Sequence, residues 1–141
     1  DQRPALQALA TDLGVSEQVQ FLGNVQNISH VLSESDIFVH AAPFEPFGIV
    51  VLEAMYHQLP CILPRSGGIV EIFDDATCGE FYTALSTTEL AQKMYKFVQS
   101  HDVLRQYGSS GRRLVEEKYL SSKYVERLFS IYDLKSTQVN P

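Results

Sequence analysis

The sequence predicts an α/β protein, a Rossmann-like doubly wound parallel sheet with helices on both faces. Three observations carry that expectation. Apolar runs of strand length, of which 37–41 (IFVHA) and 61–63 (CIL) are the clearest, lack the polar alternation of a half-exposed sheet and suit parallel strands covered on both sides. Between them lie segments whose apolar residues recur at helical spacing. Glycine-bearing turns, Gly23-Asn24 and Gly67-Gly68, punctuate the change from one kind of segment to the other. Strand and helix signals in alternation are the pattern of a doubly wound sheet.

Each element has its own warrant. Leu6, Leu9, Ala10 and Leu13 mark a first helix, and Gly14 supplies its stop. A strand is expected at 18–22 and a short helix with Ile28, Val31 and Leu32 on one face. The strand at 37–41 comes next. Pro46, Phe47 and Gly48 then break regular structure before a buried helix from Ile49 to Met55. The strand at 61–63, the Gly67-Gly68 turn into a short helix, and a strand at 80–82 complete the sheet. Ser86-Thr87-Thr88-Glu89 reads as a capping box with Leu85 and Leu90 as its hydrophobic staple. Leu90, Met94, Phe97 and Val98 are the inward stripe of the helix it opens. A shorter helix with Leu104 and Tyr107 is expected to break at Gly108 and Gly111. A last amphipathic helix presents Tyr124, Val125, Leu128, Phe129 and Tyr132, and 136–141 is expected to be a disordered tail.

Composition narrows the function classes. The chain has 141 residues, enough for one domain with a real core, and 45% of them are hydrophobic. A net charge of -6 with no basic stripe excludes a nucleic-acid groove. Cys61 and Cys78 lack C-x-x-C spacing, so free thiols in a reducing compartment are expected. The 4 histidines form no H-x-x-x-H or H-E-x-x-H group, and no metal is expected. No apolar run is long enough to span a bilayer and no signal-peptide pattern opens the chain, which points to a cytoplasmic protein. Asp1 stands at a helix already under way, so a preceding segment is expected.

The chemistry concentrates in EPFGIVVLEA, where Glu45 and Glu53 bracket seven residues. Gly48 marks a helix start, whose outward N–H groups form a ready anion site. Glu45 precedes that start. Glu53 lies about a turn and a half inside, on the face of Ile49 and Val50. An ionised carboxylate on a greasy helix costs several kcal/mol, roughly, unless something polar meets it. A ligand with hydroxyls and a phosphate would satisfy the acids and the N–H groups of Gly48, Ile49 and Val50. The plainer reading makes Glu45 a surface acid at a helix N-terminus and Glu53 a solvated one. Gly67 and Gly68 allow close approach of backbone to a ligand, or simply a strand-to-helix turn. Gly23 admits the same two readings near a nucleobase. His40, ending its strand beside the acidic loop, reads as a satisfied rim histidine.

The segment resembles the E-x7-E signature of the retaining GT-B glycosyltransferases, glycosyltransferase family 4 or glycosyl transferases group 1. Glu45, Pro46, Phe47, Gly48, Ile49, Val50, Leu52, Glu53 and Ala54 all match the pattern E-[PG]-[FL]-G-[LIV]-V-x-L-E-A. Leu59-Pro60-Cys61-Ile62-Leu63, Gly67-Gly68, Glu71-Ile72 and Cys78-Gly79 continue the likeness downstream. Val19-Gln20-Phe21-Leu22-Gly23 and Ser35-Asp36-Ile37-Phe38-Val39 continue it upstream. The resemblance implies that Glu45 contacts hydroxyls of the transferred sugar, as a catalytic residue that orients more than it takes a proton. It implies that Glu53 accepts from the ribose, and that Phe47, Gly48, Ile49, Val50, Gly67, Gly68 and Gly23 line the substrate.

By the same resemblance, residues 1–135 are a partial C-terminal nucleotide-sugar-binding domain. The full enzyme would be a retaining hexosyltransferase that needs no cofactor and no metal. Its acceptor would sit on an N-terminal domain absent from this chain, and membrane association, peripheral on the cytosolic face, would come only through that domain. Two departures stand out. Gln58 takes the place of a usual glycine after the motif helix. The first βαβ, with the arginine and lysine that neutralise the diphosphate, has no counterpart, and Arg65 is not their equivalent. The alternative reading is a non-catalytic nucleotide-sugar-binding module or the donor subunit of a two-chain transferase.

Overall fold

A computed structural model describes residues 2–131. In chain order it comprises α1 (Arg3–Asp12), a 3-10 turn (Ser16–Gln18), α2 (Ile28–Ser33), β1 (Phe38–Val39), α3 (Ile49–Tyr56) and β2 (Cys61–Pro64). There follow α4 (Ile69–Ile72), β3 (Gly79–Tyr82), α5 (Thr87–Val98), α6 (His101–Lys118) and α7 (Ser121–Ile131). The three strands form one parallel sheet in the order β1-β2-β3, with Phe38 opposite Cys61 and Ile62 opposite Glu80.

The period-two alternation of a strand puts β2 between two cores. Cys61 and Leu63 pack on one side with Val51, Ala54 and Met55 of α3 and Val115 of α6. Ile62 faces the other way, onto Tyr82 of β3 and Phe97 of α5, with Leu104 and Tyr107 of α6 beside them. All four residues of β2 are buried, as a parallel strand with helices on both faces requires. The α/β expectation therefore holds.

Several local expectations do not. Residues 18–22 form no strand: the 3-10 turn takes the start, and no backbone hydrogen bond joins this segment to β1 among the described residues. β1 donates instead to its other neighbour, from Phe38 N to Pro60 O and from His40 N to Ile62 O. With no ladder partner, the segment is held by α1, through Arg3 Nη2 to Phe21 O at 2.9 Å and the guanidinium above the Phe21 ring. Gly108 and Gly111 do not interrupt a helix; α6 runs straight through them. A Cβ on Gly108 would lie 2.0 Å from Gln58 O, and one on Gly111 3.3 Å from Met55 Cγ. The glycines mark where α6 crosses the end of α3, and Gln58, in the place of a usual glycine, stands there at a φ of +61, a left-handed conformation strained for any residue with a Cβ.

The capping box forms by half. Ser86 Oγ accepts from Glu89 N, but Glu89 reaches Thr83 N at 2.8 Å because Ser86 N already donates to Thr83 O. Leu85 is 79% exposed, so no staple closes. Of the α5 stripe only Phe97 is fully buried, with Met94 and Val98 exposed. The reason is polar: Lys93 and Lys96 of α5 are turned to the sheet, where both bond Glu80. The apolar residues Tyr124, Val125 and Phe129 of α7 are exposed, while Tyr132 and 136–141 lie outside the described residues.

Glu80 yields a pH prediction. Burial pushes its carboxyl up, but the hydrogen bonds and charges of Lys93 and Lys96 prevail and hold it below the ordinary carboxylate value. A lowered carboxyl contributes stability that is present above the unfolded value, about 4.3, and lost as pH falls through the folded one. Glu80→Gln should flatten the acid limb of a plot of unfolding free energy against pH. An acid limb of unchanged slope in the variant would exclude Glu80 as its source.

Candidate functional site

Ligands of open parallel sheets bind outside the carboxyl ends of the strands. Here the chain leaves β1 at His40 into the loop of Glu45, and leaves β2 into Arg65-Ser66-Gly67-Gly68. The two loops are bonded to each other. Ser66 Oγ donates to Pro43 O at 2.8 Å and Gly68 N to Glu45 O at 2.9 Å. A Cβ on Gly67 would fall 2.2 Å from Glu45 O, and one on Gly68 2.1 Å from Pro46 O. The glycine pair thus lets one loop lie against the backbone of the other, a packing role the sequence could not separate from contact with a ligand. Gly48 turns the chain into α3 at a φ of +74, and a side chain there would strike Ile69 and Ile72 of α4.

Glu45 is the centre of this arrangement. Its Oε1 accepts from Phe47 N at 3.1 Å and from Gly48 N at 3.0 Å, which caps the start of α3. Its Oε2 lies 3.4 Å from His40 Nε2. Hydrogen bonds from Gly48 and then Phe47 hold the carboxyl below its ordinary range against partial burial, with a smaller pull from His40. One expectation is corrected here: the Gly48 N–H is taken by Glu45 and does not stand free for a phosphate. Val51 N and Leu52 N both donate to Gly48 O, so the outward N–H groups of the first turn are those of Ile49 and Val50.

Glu53 is corrected as well. The face it shares with Ile49 is not buried, because α3 buries Val51, Ala54 and Met55 and turns Ile49 and Glu53 outward. Ile49 is 67% and Phe47 77% exposed, so the mouth of the site has an apolar rim with Glu53 one turn along from Ile49. The desolvation cost that made Glu53 conspicuous is therefore absent. Gly23 lines an open cavity of about 640 Å³ with Arg3, Leu6, Phe21 and Ile28, whose lining includes no residue of the two loops. Arg65 is paired with Asp75 and lies over the Phe81 ring at 4.4 Å, which neutralises the one cation of the glycine loop. Cys61 and Cys78 are free and buried, and burial pushes the Cys78 thiol up to about 11. No three His, Cys, Asp or Glu side chains converge as metal ligands among the described residues. No helix among them is long and apolar enough to cross a membrane.

The description "Glycosyl transferases group 1" matches residues 1–114, which contain both loops and all three strands. The chain belongs to that family. Among its relatives is the N-acetyl-alpha-D-glucosaminyl L-malate synthase of Bacillus anthracis, 32% identical over 124 residues, which are 88% of this chain and 32% of that enzyme. The alpha-1,3/1,6-mannosyltransferase of Homo sapiens is 33% identical over 84% of this chain and 28% of its own length. The chain thus spans about a third of the length of such relatives. In structure, Anabaena HepE in complex with UDP matches with a TM-score of 0.86 at 22% identity, over 92% of this chain and 36% of HepE. HepE has also been solved with UDP-glucose, and that structure matches with a TM-score of 0.84 over the same shares. This glycosyl transferases group 1 chain therefore has the fold of the C-terminal part of GT-B glycosyltransferases.

Sequence reasoning missed Ser66, which carried no signal beyond its place after a strand. His40 stands beside the acidic loop as its sequence position suggested, but it is not the satisfied rim histidine expected there, because its Nε2 is buried without a hydrogen-bond partner.

Proposed function

We propose that this chain is the donor-binding part of a retaining hexosyltransferase of class EC 2.4, which takes a nucleoside-diphosphate sugar without a metal or cofactor. The observation that carries the reading is Glu45, an ionised carboxylate fixed at the start of α3 with one oxygen, Oε2, turned away from the two backbone N–H groups that hold the other. A fixed carboxylate oxygen accepts hydrogen bonds from sugar hydroxyls, and the Ile49 and Val50 N–H groups beside it meet a diphosphate. The UDP and UDP-glucose bound by HepE on the same fold support that choice of ligand. Glu53, one turn along the exposed face, is the acceptor for the ribose hydroxyls.

In the reaction proposed, the bond from the anomeric carbon to the diphosphate breaks, and an acceptor hydroxyl attacks from the same face. The departing phosphate takes the hydroxyl proton. Glu45 then supplies orientation and charge stabilisation, and no covalent intermediate is formed on it. The acceptor belongs to a separate N-terminal domain, and the complete protein works in the cytoplasm.

Calorimetry with UDP-glucose and UDP tests the assignment. Glu45→Gln keeps an oxygen for the helix cap but loses the charge. It should weaken UDP-glucose by about 1.5–3 kcal/mol, the worth of a hydrogen bond to a charged group, and leave UDP almost unaffected. Glu53→Ala should weaken both ligands. Equal losses for the two ligands in Glu45→Gln would contradict the sugar role, and unchanged UDP affinity in Glu53→Ala would remove Glu53 from the ribose.

A further inference from the structure

His40 is mounted with unusual rigidity for a residue at the end of a two-residue strand. Its N–H donates to Ile62 O at 3.0 Å on β2, and its carbonyl accepts from Tyr82 Oη at 3.1 Å on β3. Its ring stacks on Phe38, with centroids 6.2 Å apart and planes within 16°. The sheet therefore fixes the backbone from which the imidazole projects, and the Phe38 ring flanks the imidazole itself. Yet Nε2 is buried and makes no hydrogen bond, and the atom it faces is Glu45 Oε2 at 3.4 Å. A buried polar atom without a partner is costly enough that its placement calls for a physical reason.

We propose that His40 is a positioning residue for Glu45, its Nε2–H aimed at Oε2 so that the carboxylate is presented in one direction to the hydroxyls of an incoming sugar. Burial of Nε2 decides the route. A ligand cannot reach that atom, so His40 acts through the carboxylate and is not itself in contact with substrate. Glu45 would then be held from two sides: the Phe47 and Gly48 N–H groups bond Oε1, and Nε2, 3.4 Å from Oε2, is within reach to hold the other oxygen by a small turn of either side chain. Without the imidazole, the carboxylate keeps its helix cap but is free to swing about it. The presentation of Glu45 to a sugar rests on the donor-binding reading above; the contact of His40 with Glu45 does not.

Two measurements on the full chain separate those claims. The first follows the Glu45 carboxyl by carbon NMR through an acid titration. His40→Phe, which keeps the ring and its stacking, should raise the Glu45 midpoint, and His40→Gln, which restores a donor, should bring it back toward the original. An unmoved midpoint in His40→Phe overturns the proposal, and His40→Ala serves as the donor-less variant should His40→Phe fail to fold.

The second is a double-mutant cycle with Glu45→Gln, read by calorimetry with UDP-glucose and UDP. His40→Phe should weaken UDP-glucose about tenfold, the scale of one hydrogen bond, and do so only where Glu45 is intact. The same loss in the Glu45→Gln background, or an equal loss for UDP, overturns positioning through Glu45. Should the unmutated chain bind UDP-glucose no better than UDP, the sugar reading falls, and the titration still decides the role of His40.

Discussion

Phe97→Ala should lower the free energy of unfolding by about 3–5 kcal/mol, the range for truncating a buried phenylalanine. Phe97 is 1% exposed and is the one large residue of α5 that reaches full burial. It packs on Ile62 and Tyr82, and its ring lies 5.7 Å from that of Tyr107 on α6. Collapse around the hole is opposed from both sides. β2 is pinned between two hydrogen-bonded neighbours, and α5 is tied to β3 by the Glu80 pairs with Lys93 and Lys96. Urea unfolding with an unchanged m-value is the measurement, and a loss under about 1 kcal/mol would mean that this face relaxes freely. The substitution should also be felt at the site. Tyr82 rests on Phe97 and donates to the His40 carbonyl, so loosening it removes one of the bonds that fix the imidazole beside Glu45.

The sheet could be read from the sequence because parallel strands buried on both faces need continuous apolar runs, and 61–63 supplies one where β2 forms. What could not be read depended on partners distant in sequence. Gly108 and Gly111 each cost about 1 kcal/mol against alanine in a helix, which argued for a break. The close crossing of α6 over α3 offsets that cost, and nothing local to the glycines announces the crossing. Residues 18–22 have a strand's composition, but strand formation requires a neighbour, and among the described residues no strand pairs with them. At the site, the motif located the break in regular structure and the start of α3. It said nothing of how Glu45 uses the N–H groups beside it, because self-capping is a matter of a side-chain rotamer. Glu53 was placed on the correct face of α3, but the burial of that face was misjudged: Ile49 and Val50 read as core, whereas Ile49 is exposed and Val50 half-buried.

Gly67→Ala and Gly68→Ala should each cost stability and donor affinity together, because the glycines hold the two site loops against each other. A Cβ at Gly68 would stand 2.1 Å from Pro46 O, and one at Gly67 2.2 Å from Glu45 O. Neither obstacle is the end of a flexible side chain; both are backbone, so the Glu45 loop itself must move aside. Overpacking of this kind costs about 1–3 kcal/mol. Gly67 carries a further penalty of about 1–2 kcal/mol, since its φ of +62 is left-handed, whereas Gly68 at a φ of -72 is at ease with any residue. Gly67→Ala should therefore be the less stable of the two. The ligand should feel the same displacement: moving the Glu45 loop aside shifts the carboxylate that meets the sugar, so UDP-glucose affinity should fall along with stability. Thermal melts and calorimetry on both variants provide the check. A Gly68→Ala protein that melts like the parent but no longer binds UDP-glucose would mean that the glycine meets the ligand directly. One that also binds normally would remove the Glu45 loop from the donor site.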